Sequence, residues 1–375
     1  MRRRAATRPG SRLPVRLLLT AALGASVLAA AGCTPRKKLI EWGWDEPDTG
    51  FLRRNLREME RTTPFDGCVF GVRLGREAND ASFTWQFWGR RAFEERELAH
   101  AFLDLRGLRP GRFGDNFLRV NVTPGDVDWF DDFSAVTANA RLAARLARAA
   151  RARGVVLDVE QYQGQPFDYR RQKLQARRPW AVYAAQARRR GGELMAAFQD
   201  GYPGLTLLLS FGHSLPWVQS EHGRRPLEEC SYGLLAPFLD GVLERARGGT
   251  RVVDGYELSY GYRDPRQFDD ARRLVELAVL PVVGAREAYR ERLRLAFGIW
   301  LDFEWRTRGW SASEPAKNYH TPESLERVVA AALRASDEFV WIYGENPRWW
   351  AAPTPGARVP EAYAAALRRA RAESR

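Results

Sequence analysis

The segment GVVLDVEQY, residues 154–162, begins as a β-branched run and then sets Asp158 and Glu160 two positions apart. Side chains at i and i+2 of a strand share one face. Two carboxylates on one face, where a core strand ends, suit acid–base chemistry, because the like charge of Asp158 favours the protonated form of Glu160. The same spacing recurs at Asp302 and Glu304 in LAFGIWLDFEW, residues 295–305. Glycoside cleavage needs one carboxylic acid to protonate the leaving oxygen and one carboxylate to attack or to activate water. A carboxyl separation of ~5–5.5 Å goes with retention and ~6.5–9.5 Å with inversion, a distance the sequence does not carry.

Other polar residues close further apolar runs. Asp45 lies in WGWDEPD (42–48), Asn121 near the end of NFLRVNV (116–122), His213 sits in SFGHS, Glu257 and Tyr260 in YELSYGY (256–262), and Tyr343 and Glu345 in WIYGENPRWW. A lone acid at a strand end commonly caps a helix or pairs with a base. Acids at the ends of five strands are more economically read as one site, since buried like charges are costly. Core packing accounts for Trp42, Trp300 and Trp341, but Trp85, Trp88 and Trp310 fall in expected loops. Indole faces stack on the C–H faces of sugars while carboxylates accept from hydroxyls. The expected substrate contacts are Trp44, Asp45, Asn121, His213, Glu257, Tyr260, Trp305, Trp341, Tyr343 and Glu345, with a carbohydrate as partner. Of the four histidines only His213 is at a strand end, and no H-x-H or H-E-x-x-H occurs, so neither a metal nor another cofactor is expected.

Positioning these groups falls to a repeated pattern. Apolar runs at 38–44, 67–72, 116–122, 154–160, 205–211, 251–258, 295–303 and 338–344 alternate with amphipathic stretches at 50–61, 93–106, 132–153, 180–200, 226–247, 265–279, 321–335 and 359–373. Strand–helix alternation calls for a parallel sheet with helices outside. Eight units predict an α/β fold, a single-domain (β/α)8 TIM barrel over 38–375, with strand ends gathered at one mouth. An open doubly wound sheet lacks its G-x-G-x-x-G signature here. Extra length after strands two, four and seven would wall the mouth.

The first residues belong elsewhere. Arg2, Arg3 and Arg4 precede the apolar run 17–33, which ends in small residues and Cys33. This predicts a secretory signal over 1–32, and AAGC (30–33) resembles a bacterial lipoprotein signal. That resemblance implies a lipidated Cys33, a short tether over 33–37, and an exported protein anchored to the cell envelope, on the periplasmic or surface face of the outer membrane. Formal charge is +13, of which the signal's six arginines account for nearly half. The remaining basic charge sits largely on Ala/Arg-rich helices such as 140–154, and no clustered motif points to nucleic acid. Hydrophobic content of 45% and aromatic content of 12% exclude a disordered chain. Cys68 and Cys230 could pair or stay free; Cys68, in an apolar run, reads as a buried thiol.

A barrel with glutamates at the ends of strands four and seven, and a tryptophan on strand eight, resembles the large clan of (β/α)8 glycoside hydrolases. The resemblance implies hydrolysis of a poly- or oligosaccharide with retention, Glu160 standing in the place of the acid/base and Glu304 in that of the nucleophile. Val159 occupies the position where the clan has Asn. Asp158-Val159-Glu160 is also similar to the end of the chitinase-like strand-four motif. That likeness implies substrate-assisted hydrolysis, with Asp158 orienting an acetamido group over Trp341 and Tyr256; Gly154, Val155 and Val156 replace its upstream aspartates. A non-catalytic carbohydrate-binding barrel would keep the tryptophans without needing the acid pair.

Overall fold

The eight apolar runs become the staves of a closed barrel. In the computed structural model, residues 36–77, 79–350 and 354–373 are described. The strands are β1 (Lys38–Glu41), β2 (Gly67–Phe70), β3 (Phe117–Asn121), β4 (Gly154–Asp158), β5 (Thr206–Leu209), β6 (Arg251–Asp254), β7 (Leu293–Leu295), β8 (Phe297–Trp300) and β9 (Phe339–Tyr343). Each pairs in parallel with its neighbours, in the order β7-β6-β5-β4-β3-β2-β1-β9-β8. β7 and β8 are two pieces of one stave interrupted at Ala296, whose N–H still reaches the Asp254 carbonyl at 2.8 Å. With β7 on β6 and β8 on β9, the ring closes as the (β/α)8 barrel the alternation predicts.

Around it run α1 (Thr49–Thr62), α2 (Ala99–Arg106), α3 (Ser134–Ala149), α4 (Trp180–Gly201), α5 (Ser214–Gln219), α6 (Leu235–Arg245), α7 (Arg266–Arg273), α8 (Arg286–Arg292), α9 (Trp305–Arg308), α10 (Pro322–Ala335) and α11 (Glu361–Glu373). In α3, Val136, Ala140, Ala143, Ala144 and Ala147 recur at helical spacing and are buried, while its arginines lie between them. Thr321 caps α10 as its sequence suggests, accepting the Ser324 N–H at 3.2 Å, with Pro322 in the first turn. The expected helix 226–247 starts only at Leu235, because a 3-10 turn at Leu227–Glu229 and a loop take its first part. α5 and α8 were not anticipated; both are short, and short amphipathic segments leave little periodicity to read.

Two cores share the sheet. Outside, helices and strands bury the larger one. Inside, Ile40, Val69, Phe117, Val156, Leu208, Val253 and Phe339 fill the barrel, and Trp42 and Trp341 lie above them with ring centroids 4.3 Å apart. Gly298 makes room for that plug: a Cβ there would come within 2.5 Å of the Trp341 ring. Below, ion pairs close the N-terminal end, Lys38 with Asp115 at 2.7 Å and Arg251 with Glu338 at 2.8 Å, Glu338 also binding Arg153. The barrel interior is therefore packed from below, and its inward-facing strand ends open at the C-terminal end.

The long connections after β2, β4 and β8 do sit over that end, but they use their aromatics differently from expectation. Trp88 is fully buried, packed among Trp129, Phe133, Phe167 and Phe238. It props the wall rather than facing sugar. Trp310 packs on Tyr363 at 5.4 Å. Cys68 and Cys230 are both free and buried. The signal segment 1–32 and the lipidation residue Cys33 lie outside the described residues. Among the described residues no helix is long and apolar enough to cross a membrane.

Candidate active site

Strand alternation puts Arg119, on β3, inside the barrel two residues above Phe117. Its guanidinium bridges Glu46 at 3.0 Å and Asp158 at 2.7 Å. Burial opposes that charge, but the two carboxylates more than compensate and hold Arg119 firmly protonated. Asp158, the last residue of β4, also accepts from the Tyr162 hydroxyl at 3.1 Å, the Ser210 hydroxyl at 3.4 Å and the Glu160 N–H at 3.1 Å. It is a saturated hub that fixes the turn after β4.

Glu160 is less encumbered. Tyr162 donates its hydroxyl to it, and among the described residues it forms no ion pair. Burial first, then the charge of Asp158, pushes its carboxyl upward, against the pull of Tyr162 and Arg119. The carboxyl that shares its field is Glu257. Tyr256 takes a left-handed conformation at φ 46°, and the Glu257 N–H then bonds the Ser210 carbonyl at 3.2 Å. This folds the end of β6 back over β5, toward β4. The Glu257 carboxyl, hydrogen-bonded to Tyr260, is pushed well up by burial first and then by Glu160 and Asp158. A negative charge on Glu160 opposes ionisation of Glu257, which favours its protonated form.

Aromatic rings surround this pair. Tyr260 stands 5.2 Å from Trp341 beneath it and stacks with Tyr343, also at 5.2 Å. Trp300 packs edge-on to both tyrosines. Trp44 is 60% exposed and donates its indole N–H to the Tyr343 hydroxyl at 2.9 Å. On the β2–β4 side, Trp85 and Tyr162 are exposed and 5.0 Å apart, with the Arg119 guanidinium 5.3 Å over Trp85.

The strand-seven acids follow a different course. β8 ends at Trp300, so the two-residue spacing of Asp302 and Glu304 no longer puts them on one face. Asp302 is buried and accepts from the Trp300 indole at 2.8 Å, from the N–H groups of Glu345 and Asn346 at 3.0 and 2.9 Å, and from the Asn346 amide at 3.0 Å. It ties the segment after β9 to the barrel and supplies no like charge to Glu304. Glu304 takes a left-handed conformation at φ 59°, opens α9, and lies exposed with Arg308 at 3.5 Å.

Several expected contacts turn out to be scaffolding. Asp45 is buried, accepting the Trp350 N–H at 2.9 Å and that of Trp349. Glu345 is buried under the Trp305 indole and Arg306, both at 2.7 Å, which leaves half-buried Trp305 at the rim. Asn121 is buried beside Asp158, its carbonyl taken by Thr123. His213 lies behind the sheet, on Asp240 at 3.2 Å and edge-on to Tyr289. Sequence reasoning passed over Arg119 and Tyr162. Strict alternation from Phe117 would have flagged Arg119; nothing local marks Tyr162 beyond its closeness to Glu160.

No known family profile matches the sequence, and no curated protein matches it. Among solved structures, the chain is similar to GH5_18 from Streptomyces cattleya in complex with GlcNAc, at 17% identity and TM-score 0.44, over 90% of this chain and 82% of that one. It is similar to a glycoside hydrolase family 5 enzyme from Prevotella bryantii B14, at 10% identity and TM-score 0.44, over 90% and 96%. It is also similar to an exo-β-1,4-mannosidase from Opitutaceae bacterium strain TAV5, at 15% identity and TM-score 0.43, over 90% and 60%. The barrel follows from its own strand ladder, and the chemistry of the mouth from its own side chains.

Proposed function

We propose that the protein is a glycoside hydrolase acting on a poly- or oligosaccharide, with Glu160 and Glu257 as its working carboxyls. The observation that carries this reading is the pair itself: two carboxyls in one field at the C-terminal mouth, each held by a tyrosine hydroxyl, neither ion-paired among the described residues, and ringed by Trp44, Trp85, Tyr162 and Tyr343. Glu257, the more enclosed and the more strongly raised by burial, keeps the proton. It gives that proton to the glycosidic oxygen as the C1–O bond breaks and the electron pair stays on that oxygen. Glu160, as carboxylate, attacks C1. Water deprotonated by Glu257 then displaces Glu160, so the configuration is retained. Glu257 replaces Glu304, whose carboxylate faces Arg308 at the surface, as the partner of Glu160, and the roles differ from those the resemblance implies: Glu160 becomes the nucleophile and Glu257 the acid/base. The chitinase-like reading fares less well, because Arg119, Tyr162 and Ser210 already occupy the Asp158 carboxylate.

The test is kinetic. Glu257→Gln should lower kcat on natural oligosaccharides by about 10²–10⁴ and spare aryl glycosides whose leaving group needs no proton. Glu160→Ala should lose both activities, and azide should restore turnover as a glycosyl azide. Full activity in Glu257→Gln with loss in Glu304→Gln would return the partner role to Glu304. Oligosaccharide binding without turnover by the wild type would leave the non-catalytic barrel standing. We also propose export and lipid anchoring through Cys33, on the strength of residues 1–33 alone; the N-terminal mass of the membrane-fraction protein decides it.

A further inference from the structure

The end of the barrel opposite the mouth has its own chemistry. Arg36, Arg109, Arg151, Arg245, Arg247 and Arg294 are exposed at the N-terminal ends of the strands, and among the described residues none of them forms an ion pair with a carboxylate. The acids nearby are engaged elsewhere: Asp115 by Lys38, Glu338 by Arg153 and Arg251, Asp200 by Arg141, Glu291 by Arg292. Basic residues in last helical turns complement the helix dipole, which accounts for Arg245. Arg109 and Arg294 likewise donate to carbonyls that end α2 and α8, Arg106 at 3.1 Å and Glu291 at 3.0 Å, without meeting a carboxylate; Arg151 and Arg247, in loops, are not accounted for in this way. Arg151 is the most telling of them. It takes a left-handed backbone at φ 53° where glycine is ordinarily preferred, yet the side chain is a guanidinium at the surface. It lines a recess of about 310 Å³ with Arg153, Arg251, Tyr202, Thr206, Ala152, three glycines and Asp115, whose carboxylate is paired with Lys38, wide enough to admit a phosphate-bearing group.

We infer that this N-terminal face docks on an anionic phospholipid surface, its loop arginines meeting headgroup phosphates while the acidic, aromatic mouth points away from the bilayer. Charge complementarity is one support. Chain geometry is the other: β1 starts at this face with Lys38. A chain anchored at Cys33 reaches Arg36 in three steps, at most ~10–11 Å of extended backbone, which leaves this face the one closest to the membrane. Arginine forks suit phosphate oxygens, and the attraction is screened by salt.

Residues 36–375 form a compact unit containing the whole barrel, so the chain from residue 34 can be tested without its anchor. It is sedimented with vesicles of phosphatidylcholine alone or mixed with phosphatidylglycerol, at low and high salt. The expected result is salt-sensitive binding to the anionic vesicles only. Replacing Arg109, Arg151, Arg247 and Arg294 by Gln together should reduce that binding by at least about tenfold with melting temperature unchanged. A control quadruple of Arg54, Arg57, Arg177 and Arg224 to Gln, equal in net charge, should bind as wild type. Equal binding to neutral vesicles, undiminished binding by the first quadruple, or equal losses in both would overturn the inference. None of these readouts depends on glycosidase activity.

Discussion

At the scale of single residues, the mouth is governed by which carboxyls are left free. Asp158 and Asp302 are saturated with donors, whereas among the described residues Glu160 and Glu257 are each held by a tyrosine hydroxyl and form no ion pair. Trp44 is the most exposed ring beside them, and its indole N–H bonds the Tyr343 hydroxyl. Trp44→Ala should raise KM for oligosaccharides about fivefold, the worth of roughly 1 kcal/mol of ring contact, with kcat nearly unchanged. A steady-state comparison decides it. Behind the mouth, Glu41 is fully buried; burial first, then Asp45 and Glu46, pushes its carboxyl well up, against the Gly43 N–H and Arg348. A carboxyl raised in the folded state binds its proton more tightly there than in the unfolded chain. Its contribution is intact below the unfolded pKa and is lost as pH rises above it. Glu41→Gln should therefore stabilise the protein by about 1–3 kcal/mol at pH 7 and by almost nothing near pH 4, as denaturant midpoints at the two pH values would reveal.

At the scale of elements, strand ends and the residues just past them decide what reaches the mouth. β4 stops at Asp158, yet Glu160 stays with it because its N–H bonds the Asp158 carboxylate. β8 stops at Trp300, and the left-handed turn at Glu304 carries that carboxylate to the surface. The two D-x-E segments are alike as text but diverge in space, since i/i+2 alternation holds only while the chain is extended. A strand also positions the site through its smallest residue. Gly298→Ala would press a methyl against the Trp341 ring, which is held by its indole bond to the Gly255 carbonyl at 2.9 Å. The ring must shift into Tyr260. We expect a loss of about 1–3 kcal/mol in stability together with a lower kcat, because Tyr260 holds Glu257. A variant that melts lower but keeps wild-type kcat would show that the floor and the carboxyl pair are independent.

At the scale of the whole molecule, the barrel separates its two ends. One end carries carboxyls and exposed rings; the other is closed by Glu338 between Arg153 and Arg251. Glu338→Gln would leave those two guanidinia facing one another, partly open to water. It should cost about 1–2 kcal/mol, more at low salt than at high, measurable by thermal melts across ionic strength. The eight staves and their parallel order were legible in the sequence, because buried parallel strands read as short apolar runs and the alternation with helices admits few topologies. So were the Thr321 cap and the candidate acids at strand ends. The pairing of acids was not. Glu257 comes under the charge of Glu160 because β6 neighbours β5 and β5 neighbours β4, and because Tyr256 bends the chain back. Sequence by itself determined which side chains could reach the mouth, since periodicity and turn chemistry are local. Tertiary structure alone decided which of them are spent on neighbours and which remain to do chemistry, since charge and burial depend on what lies across the barrel.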